Sequence, residues 1–324
     1  MKKHLLSALL ILAACAGSAA GAAAADSYPE RPVKLIVGFQ PGGPTDLFAR
    51  LIAQKLSEET GKNFFIENVP GAGGNVGAGR VAQSAPDGYT LLVTGGNLTN
   101  SPFLYSHVPY DPLKSFDAVT LGSSTPVVLA INPSVAAHSV KELVELIRAT
   151  PGKFSFASPG TGTPPQLVGS LFQQSLKLDL VHVPFDGGGV AVEATVAGHT
   201  PISFGALAPA LPLIKSGQLR ALAVTGKERA PSLPDVPTMA EAGFPEVVGS
   251  TWTAVVAPAG TPKDIVAKLN DLIVKGLASS DVKAKLASMA YVGIGDSPEE
   301  CTQFFKDEMA TWSKVIKDAG LHAE

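Results

Sequence analysis

Short apolar runs alternate with longer stretches whose apolar positions recur at helical spacing along most of the chain. Continuous apolar runs bounded by turn residues predict buried strands, and a 3.6-residue repeat predicts helices. We predict strands at 33–37, 64–66, 89–93, 127–131, 154–157, 180–183, 202–204, 219–224 and 253–256. We predict helices near 47–56, 139–149, 165–176, 188–197, 207–216, 263–278, 281–288 and 298–318. This alternation indicates an α/β fold of mostly parallel sheets flanked by helices.

The order strand, glycine turn and helix start occurs twice in the chain, about a hundred residues apart. The first turn is Phe39-Gln40-Pro41-Gly42-Gly43-Pro44-Thr45-Asp46, and the second is Ser158-Pro159-Gly160-Thr161-Gly162-Thr163. Two domains with one such turn each would place two helix N-termini face to face across a cleft. Chain crossings near 124–128 and 248–252 would make the second domain an insertion. We therefore predict domain 1 as 26–125 plus 251–324, and domain 2 as 126–250.

Each of these turns is suited to hold an anion through its backbone. Glycines allow the sharp turn and expose N–H groups, while Thr45 or Asp46 can cap the first helix. The first helical turn leaves its N–H groups unpaired and carries partial positive charge. Such an end binds a carboxylate or a phosphate without lysine or arginine, and we expect no cationic side chain near either turn. A capped connection without a ligand remains the alternative for each turn alone; the pair favours anion binding.

Two further loops follow strands, where ligands bind in open α/β sheets. Asn97 lies in the loop after strand 89–93, and it is either a ligand contact or a turn residue. Asp186 follows strand 180–183, and a carboxylate there repels an anion unless an amine, a hydroxyl or a proton intervenes. Asp186 therefore either points to solvent or selects a ligand that carries a donor group.

The motifs of several enzyme classes are absent from the sequence. No G-x-x-x-x-G-K-[ST] loop occurs, and the glycine-rich stretch at 71–79 has Val76 where a dinucleotide fingerprint needs its third glycine. No histidine pair has zinc-ligand spacing, and no G-x-S-x-G elbow is present. His182, on a predicted strand, is interpreted as a packed core histidine. We predict no catalysis, no cofactor and no metal.

The first residues carry the marks of an export signal. Lys2 and Lys3 precede an apolar run at 5–14, and small residues lead to Ala25. This pattern is typical of a secretory signal peptide, and the run is too short to span a bilayer. Cys15 also fits a lipoprotein cleavage box, so it is either discarded with the signal or lipidated. We predict a periplasmic location.

The remaining chain has one cysteine, Cys301, so no intrachain disulfide can form. Loss of Lys2 and Lys3 would leave 23 basic against 28 acidic residues, a net charge of −5. Nucleic-acid binding proteins show a basic surface instead, so we expect no nucleic-acid partner. We also expect a monomer.

Many short segments, in order along the chain, resemble one family. They are 28–32 (YPERP), 41–46 (PGGPTD), 67–75 (ENVPGAGGN), 85–92 (APDGYTLL), 181–185 (VHVPF), 219–224 (LRALAV), 233–238 (LPDVPT) and 257–262 (APAGTP). Together they are similar to the substrate-binding receptors of tripartite tricarboxylate transporters, the Bug family.

The resemblance implies a two-domain periplasmic binding protein fold, type II-like, that closes by hinge motion and delivers a carboxylate to integral-membrane transporter subunits. It implies that both turns bind carboxylate through backbone groups and ordered water, and that Asn97, the segment around Asp186, and Gly205-Ala206-Leu207 shape selectivity. Many relatives carry a lysine near Asp186 and an aspartate-asparagine pair near Gly205, so the far end of the ligand stays open.

The expected function is reversible capture of a small mono- or dicarboxylate; a periplasmic sensor that presents its liganded form to a signalling partner is the alternative. The expected ligand-binding residues are Phe39, Pro41, Gly42, Gly43, Thr45, Asp46, Asn97, Ser158, Gly160, Thr161, Gly162, Thr163, Asp186, Gly205 and Ala206.

Overall fold

The computed structural model describes residues 27–185 and 187–322. The first half contains β1 (Val33–Val37), α1 (Pro44–Thr60), β2 (Phe64–Asn68), α2 (Asn75–Ala82), β3 (Thr90–Gly95) and α3 (Asn97–Leu104). The long β4 (Phe116–Ile131) leads to α4 (Val140–Ala149), β5 (Phe154–Ser158), α5 (Pro164–Ser175), β6 (Leu180–Pro184), α6 (Gly188–Val196), β7 (Ile202–Ala206), α7 (Leu207–Lys215) and β8 (Arg220–Val224). The chain then returns through β9 (Ser250–Pro258), α8 (Lys263–Ala278), α9 (Ser280–Ser288), β10 (Val292–Gly293) and α10 (Pro298–Asp318).

The strands form one sheet in the order β2-β1-β3-β9-β4-β7-β5-β6, with β8 and β10 also paired to β4. The three outer strands at each end are parallel, whereas β9 and β4 run antiparallel to their neighbours. The α/β class is therefore confirmed, but only the outer part of each half is parallel. Since β4 leaves the first half and β9 returns to it, the two strands must run in opposite directions.

The long strand β4 joins the two halves of the sheet. Residues up to Pro126 pair with β9, and from Val127 onward the same strand pairs with β7 and β8. The sequence predicted only 127–131, because residues 119–125 are mostly small and polar rather than a continuous apolar run. Thr120, Ser123 and Thr125 are nonetheless fully buried between strands and helices.

Both faces of each half-sheet are buried, which explains the continuous apolar runs of the strands. Leu35 faces one core and its neighbour Ile36 faces another, while Leu129 and Val128 divide in the same way between two cores of the second half. Successive side chains of a strand point to opposite faces, so each run supplies two cores at once.

The C-terminal helix α10 packs on both halves. Cys301 and Phe305 belong to a core of the first half, and Trp312 belongs to a core of the second. Between them, the Glu308 carboxylate accepts hydrogen bonds from Trp252 Nε1 at 2.8 Å and from Trp312 Nε1 at 3.1 Å. Burial raises the pKa of Glu308. One carboxylate thus joins the two halves beside the chain crossing.

Within residues 27–185 and 187–322, no helix has both the length and the apolar composition that a membrane crossing requires. In that same part of the chain, no group of three or more His, Cys, Asp or Glu side chains is placed to hold a metal ion. The predicted signal segment and Cys15 lie outside the described residues.

Candidate functional site

The first glycine turn connects β1 to α1. Gly43 is the N-cap residue with extended backbone angles, Pro44 is the first helical residue, and Gly42 has a φ of +87°. A left-handed φ favours glycine because a Cβ clashes with the backbone in that region. Proline fits the first helical position, where its missing N–H would have had no partner.

Asp46 holds this turn from the third helical position. Its buried carboxylate accepts from Gly42 N at 2.9 Å, from Arg50 Nε at 2.8 Å and Nη2 at 3.1 Å, and from Asn68 Nδ2 at 2.9 Å. Burial alone would raise the pKa of Asp46, but these hydrogen bonds from Arg50, Gly42 and Asn68 outweigh it and lower the pKa. Asp46 therefore shapes the turn with an oxyanion that is already surrounded by donors.

The expectation that no cationic side chain lies near either turn was wrong for the first turn. Arg50, one helical turn after Asp46, forms the ion pair just described, and its side chain is half exposed. Asp46 and Arg50 are four residues apart on one helix, so their side chains lie on the same helix face. This ion pair was predictable from the sequence alone.

The second glycine turn connects β5 to α5 with nearly the same backbone geometry. Thr163 is the N-cap residue, Pro164 is the first helical residue, and Gly162 has a φ of +79°. Gly162 N donates to Gln166 Oε1 at 3.2 Å, and Gln166 Nε2 donates to Ser170 Oγ at 2.9 Å. Gln166 thus takes the place of Asp46, and Ser170 the place of Arg50, in a network without formal charge.

Ser158 adds a second support under this turn. Its hydroxyl lies 2.7 Å from His182 Nε2, and it accepts from Gly160 N at 3.3 Å. The His182 ring packs against Phe156 with centroids 4.9 Å apart. Burial lowers the pKa of His182 to about 4, so the imidazole is neutral at physiological pH. His182 is therefore packed as expected, but it also fixes a predicted site residue.

The predicted caps do not form as expected. The N-cap residue of α1 is Gly43 rather than Thr45 or Asp46, and Thr163, the N-cap residue of α5, makes no cap hydrogen bond through its side chain. The Thr163 hydroxyl donates to Gly160 O at 2.7 Å instead, which closes the turn on itself. The Thr45 hydroxyl forms no hydrogen bond with another described residue, so it is available to a ligand.

The expected loop after strand 89–93, which carries Asn97, is instead the end of β3 and the start of α3. Asn97 is the first residue of this helix and is partly exposed. Asn100, one turn further, is fully buried, and its Nδ2 has no hydrogen-bond partner among the described residues. Polar helix starts resemble turn sequences, so the pattern alone did not separate the two.

The structure brings the start of α3 against the second turn. A Cβ added at Gly96 would lie 2.6 Å from Pro164 Cγ and 3.5 Å from Asn100 Nδ2. A Cβ added at Gly162 would lie 2.6 Å from Leu104 Cδ1. The second turn therefore contacts a helix of the first half, as a site between two halves requires.

Gly205 and Ala206 lie at the end of β7, directly before α7, which contacts the start of α6. Gly188, at the start of α6, lies beside Pro159 of the second turn and beside Pro209 of α7, which begins directly after Gly205-Ala206. Ala208 packs against the core of the first half that Phe39 also covers. The predicted site residue Asp186 lies outside the described residues.

Comparison with known proteins identifies the family and the fold. The family model described as "Tripartite tricarboxylate transporter family receptor" matches residues 48–321. The chain is 36% identical to Protein BugT of Bordetella pertussis over 319 residues, which cover 98% of each chain. It is similar to the solved structure of Rhodopseudomonas palustris MatC with bound malate, with a TM-score of 0.81, 34% identity, and coverage of 89% of this chain and 100% of that one. It is also similar to R. palustris Rpa4515 with adipate, with a TM-score of 0.85, 34% identity, and coverage of 91% and 99%. The predicted two-domain periplasmic binding protein fold is confirmed by similarity to solved periplasmic proteins, among them the periplasmic binding protein BugD, with a TM-score of 0.82, 31% identity, and coverage of 92% of this chain and 100% of that one.

Proposed function

The chain belongs to the tripartite tricarboxylate transporter receptor family, and on that premise we propose that it captures a small mono- or dicarboxylate between its two halves. It then delivers the ligand unchanged to integral-membrane subunits of the transporter. The solved relatives with malate and with adipate both hold dicarboxylates, which supports this ligand class.

One observation carries the proposal: the two glycine turns share their backbone geometry, and each follows the carboxyl end of a parallel strand. In each, a left-handed glycine precedes a helix that begins with proline. Helix starts carry partial positive charge and exposed N–H groups, which suit an oxyanion. The partial charge of two helix starts explains how an acidic protein binds an acid.

The boundaries of the two domains are part of the same proposal. The change of partners along β4 at Pro126 and Val127 supports a second domain at 126–250. Since α10 packs on both halves through Phe305 and Trp312, its end would move relative to one half on closure. Export to the periplasm, by removal of a signal segment or with a lipid at Cys15, completes the proposal.

A thermal-shift screen of acetate, malate, adipate, citrate and neutral sugars on ligand-free protein tests the function. A ligand that binds only the folded state raises the unfolding temperature, and more so the further its concentration exceeds its Kd, so at least one carboxylate should stabilise the protein. Both tryptophans of the chain bond to Glu308, so ligand-induced closure should also change intrinsic fluorescence. Stabilisation by sugars alone would contradict the proposal, and chemical conversion of the bound acid would show an enzyme.

A further inference from the structure

Among the described residues, the chain passes between the two halves along β4, at the start of β9, and through α10. β4 and β9 pair with each other up to Pro126, so backbone hydrogen bonds hold these two crossings together. The backbone hydrogen bonds of α10 are made within the helix, so its side chains must hold it to both halves. These side-chain contacts therefore influence the angle between the halves.

Glu308 binds an indole from each half at the point where α10 crosses. Its Oε2 accepts from Trp252 Nε1 at 2.8 Å and from Trp312 Nε1 at 3.1 Å. Trp252 is buried in a core of the first half, where its ring stacks on Phe305 with centroids 5.4 Å apart. Trp312 is buried in a core of the second half, and a Cβ added at Gly249 would lie 3.2 Å from its Cη2 atom. Each indole is therefore held by packing within its own half.

The hydrogen bond between Glu308 and Trp252 depends on the orientation of the halves. Trp312 follows Glu308 by one helical turn, so their bond holds the carboxylate to the part of α10 that packs on the second half. Trp252 lies on β9 and moves with the first half. A rotation between the halves changes the distance from this indole to the carboxylate, and the hydrogen bond is lost beyond about 3.5 Å. The bond therefore stabilises the orientation of the halves in which it forms.

This hydrogen bond is costly to break because its acceptor is a carboxylate. A hydrogen bond to an ionised acceptor is about twice as strong as one between neutral groups. Burial raises the pKa of Glu308, and the hydrogen bonds from the two indoles lower it. Loss of the Trp252 donor would leave a partly buried carboxylate with one of its two indole donors, which costs free energy.

We propose that Glu308 is a positioning residue for ligand capture: its bond to Trp252 stabilises the orientation of the halves in which α3 meets the second turn, and it thereby slows release of the bound ligand. In this orientation Leu104 of α3 packs in a core of the second half and lies against Gly162. The hydrogen bonds of Glu308 go to the two indoles, so it acts on the ligand through the angle between the halves. This inference rests on the proposed function, and it names a residue that controls the same site without touching the ligand.

Glu308→Leu tests this role, with acetate, malate, adipate and citrate as probes of ligand release in surface plasmon resonance at pH 7. The variant removes the acceptor and keeps an apolar side chain in its place, so we expect the dissociation rate constant to rise about 10-fold. The association rate constant should stay at the wild-type value, because the ligand enters before the halves close. Glu308→Gln keeps an oxygen acceptor without the charge, so its dissociation rate constant should rise by only about 3-fold.

Trp252→Phe removes the other partner of the same bond. It retains an aromatic ring against Phe305 and loses the N–H donor, so the dissociation rate constant should rise about 5-fold. Because both substitutions remove one bond, the double variant of Glu308→Leu and Trp252→Phe should release the ligand about as fast as Glu308→Leu alone. Asp307→Asn is the matched control: it changes an exposed acid next to Glu308 on α10, and its rate constants should equal the wild-type values.

The outcomes separate the inference from the function. If the wild-type protein binds none of the four acids, the proposed function fails and the inference fails with it. If the wild-type protein binds, and Glu308→Leu and Trp252→Phe release the ligand at the wild-type rate, only the positioning role is overturned. A lower unfolding temperature with an unchanged dissociation rate constant shows that Glu308 supports the fold alone, and this too overturns the inference. If Glu308→Leu does not fold, Glu308→Gln and Trp252→Phe decide by the same rate constants.

Discussion

The two glycine turns have the same backbone and different polar supports. Each has a left-handed glycine, an extended N-cap residue and a proline at the first helical position, and in each the third helical residue accepts the glycine N–H. The first turn does this with the ion pair of Asp46 and Arg50, the second with the neutral pair of Gln166 and Ser170. The backbone geometry thus does not require a particular charge, and the two turns differ in how their polar groups contribute to stability.

The largest expected difference between the turns is in stability. Asp46→Ala removes hydrogen bonds to Gly42, Arg50 and Asn68, and we expect it to lower the free energy of unfolding by about 3 kcal/mol. Gln166→Ala removes two neutral hydrogen bonds and leaves a small cavity, for about 1–2 kcal/mol. Urea denaturation of both variants measures the two losses. Equal losses would show that the charged network adds nothing over the neutral one.

The second expectation concerns the two left-handed glycines. Gly162→Ala should destabilise by about 2 kcal/mol, because it combines a disfavoured φ with a clash against Leu104. Gly42→Ala has open space around its Cβ, so only the backbone term of about 1 kcal/mol applies. Thermal unfolding of the two variants gives the ranking, and the reverse order would contradict the contact between the second turn and α3.

A third difference should appear as the pH falls. The folded state keeps His182 neutral, with a pKa of about 4, while the unfolded chain protonates it near 6.5. The unfolded state therefore binds more protons below pH 6.5, and stability should fall by about 2 kcal/mol between pH 6.5 and 4. The Asp46 pKa is lowered, so its contribution is kept until the pH falls below about 4.

Urea denaturation across that range, compared with His182→Gln, isolates the histidine. The variant lacks the titrating group, so its stability should decline less between pH 6.5 and 4. Parallel curves for the two proteins would mean that His182 is protonated in the fold.

The smallest expected effects come from the two threonines. Thr163→Val removes the hydrogen bond to Gly160 O and should lower stability by about 1 kcal/mol. Thr45→Val removes no hydrogen bond within the described protein, so its unfolding temperature should stay at the wild-type value while binding weakens by about 1 kcal/mol. Calorimetry and thermal unfolding together separate the roles; a Thr45→Val variant with unchanged affinity would remove Thr45 from the site.

Local sequence patterns predict some features of the site but not others. Both turns, their glycines and the proline after each were predictable, because a left-handed turn before a helix needs residue types that few other structures need. Arg50 was also within reach, since Asp46 and Arg50 are spaced for one helix face. The roles of Asn68 and His182 were not predictable, because each contacts its turn from a neighbouring parallel strand. The local sequence pattern does not specify which strands pair.

The sequence by itself determined the α/β class, the paired glycine turns and most elements, since apolar periodicity and turn chemistry act over a few residues. Only the tertiary structure decided that β4 passes from one half to the other and that α10 packs on both. It also decided that α3 meets the second turn with the buried amide of Asn100 unpaired. These features depend on contacts between residues far apart in the chain. Burial and hydrogen bonding decide those contacts, and local sequence propensities do not predict them.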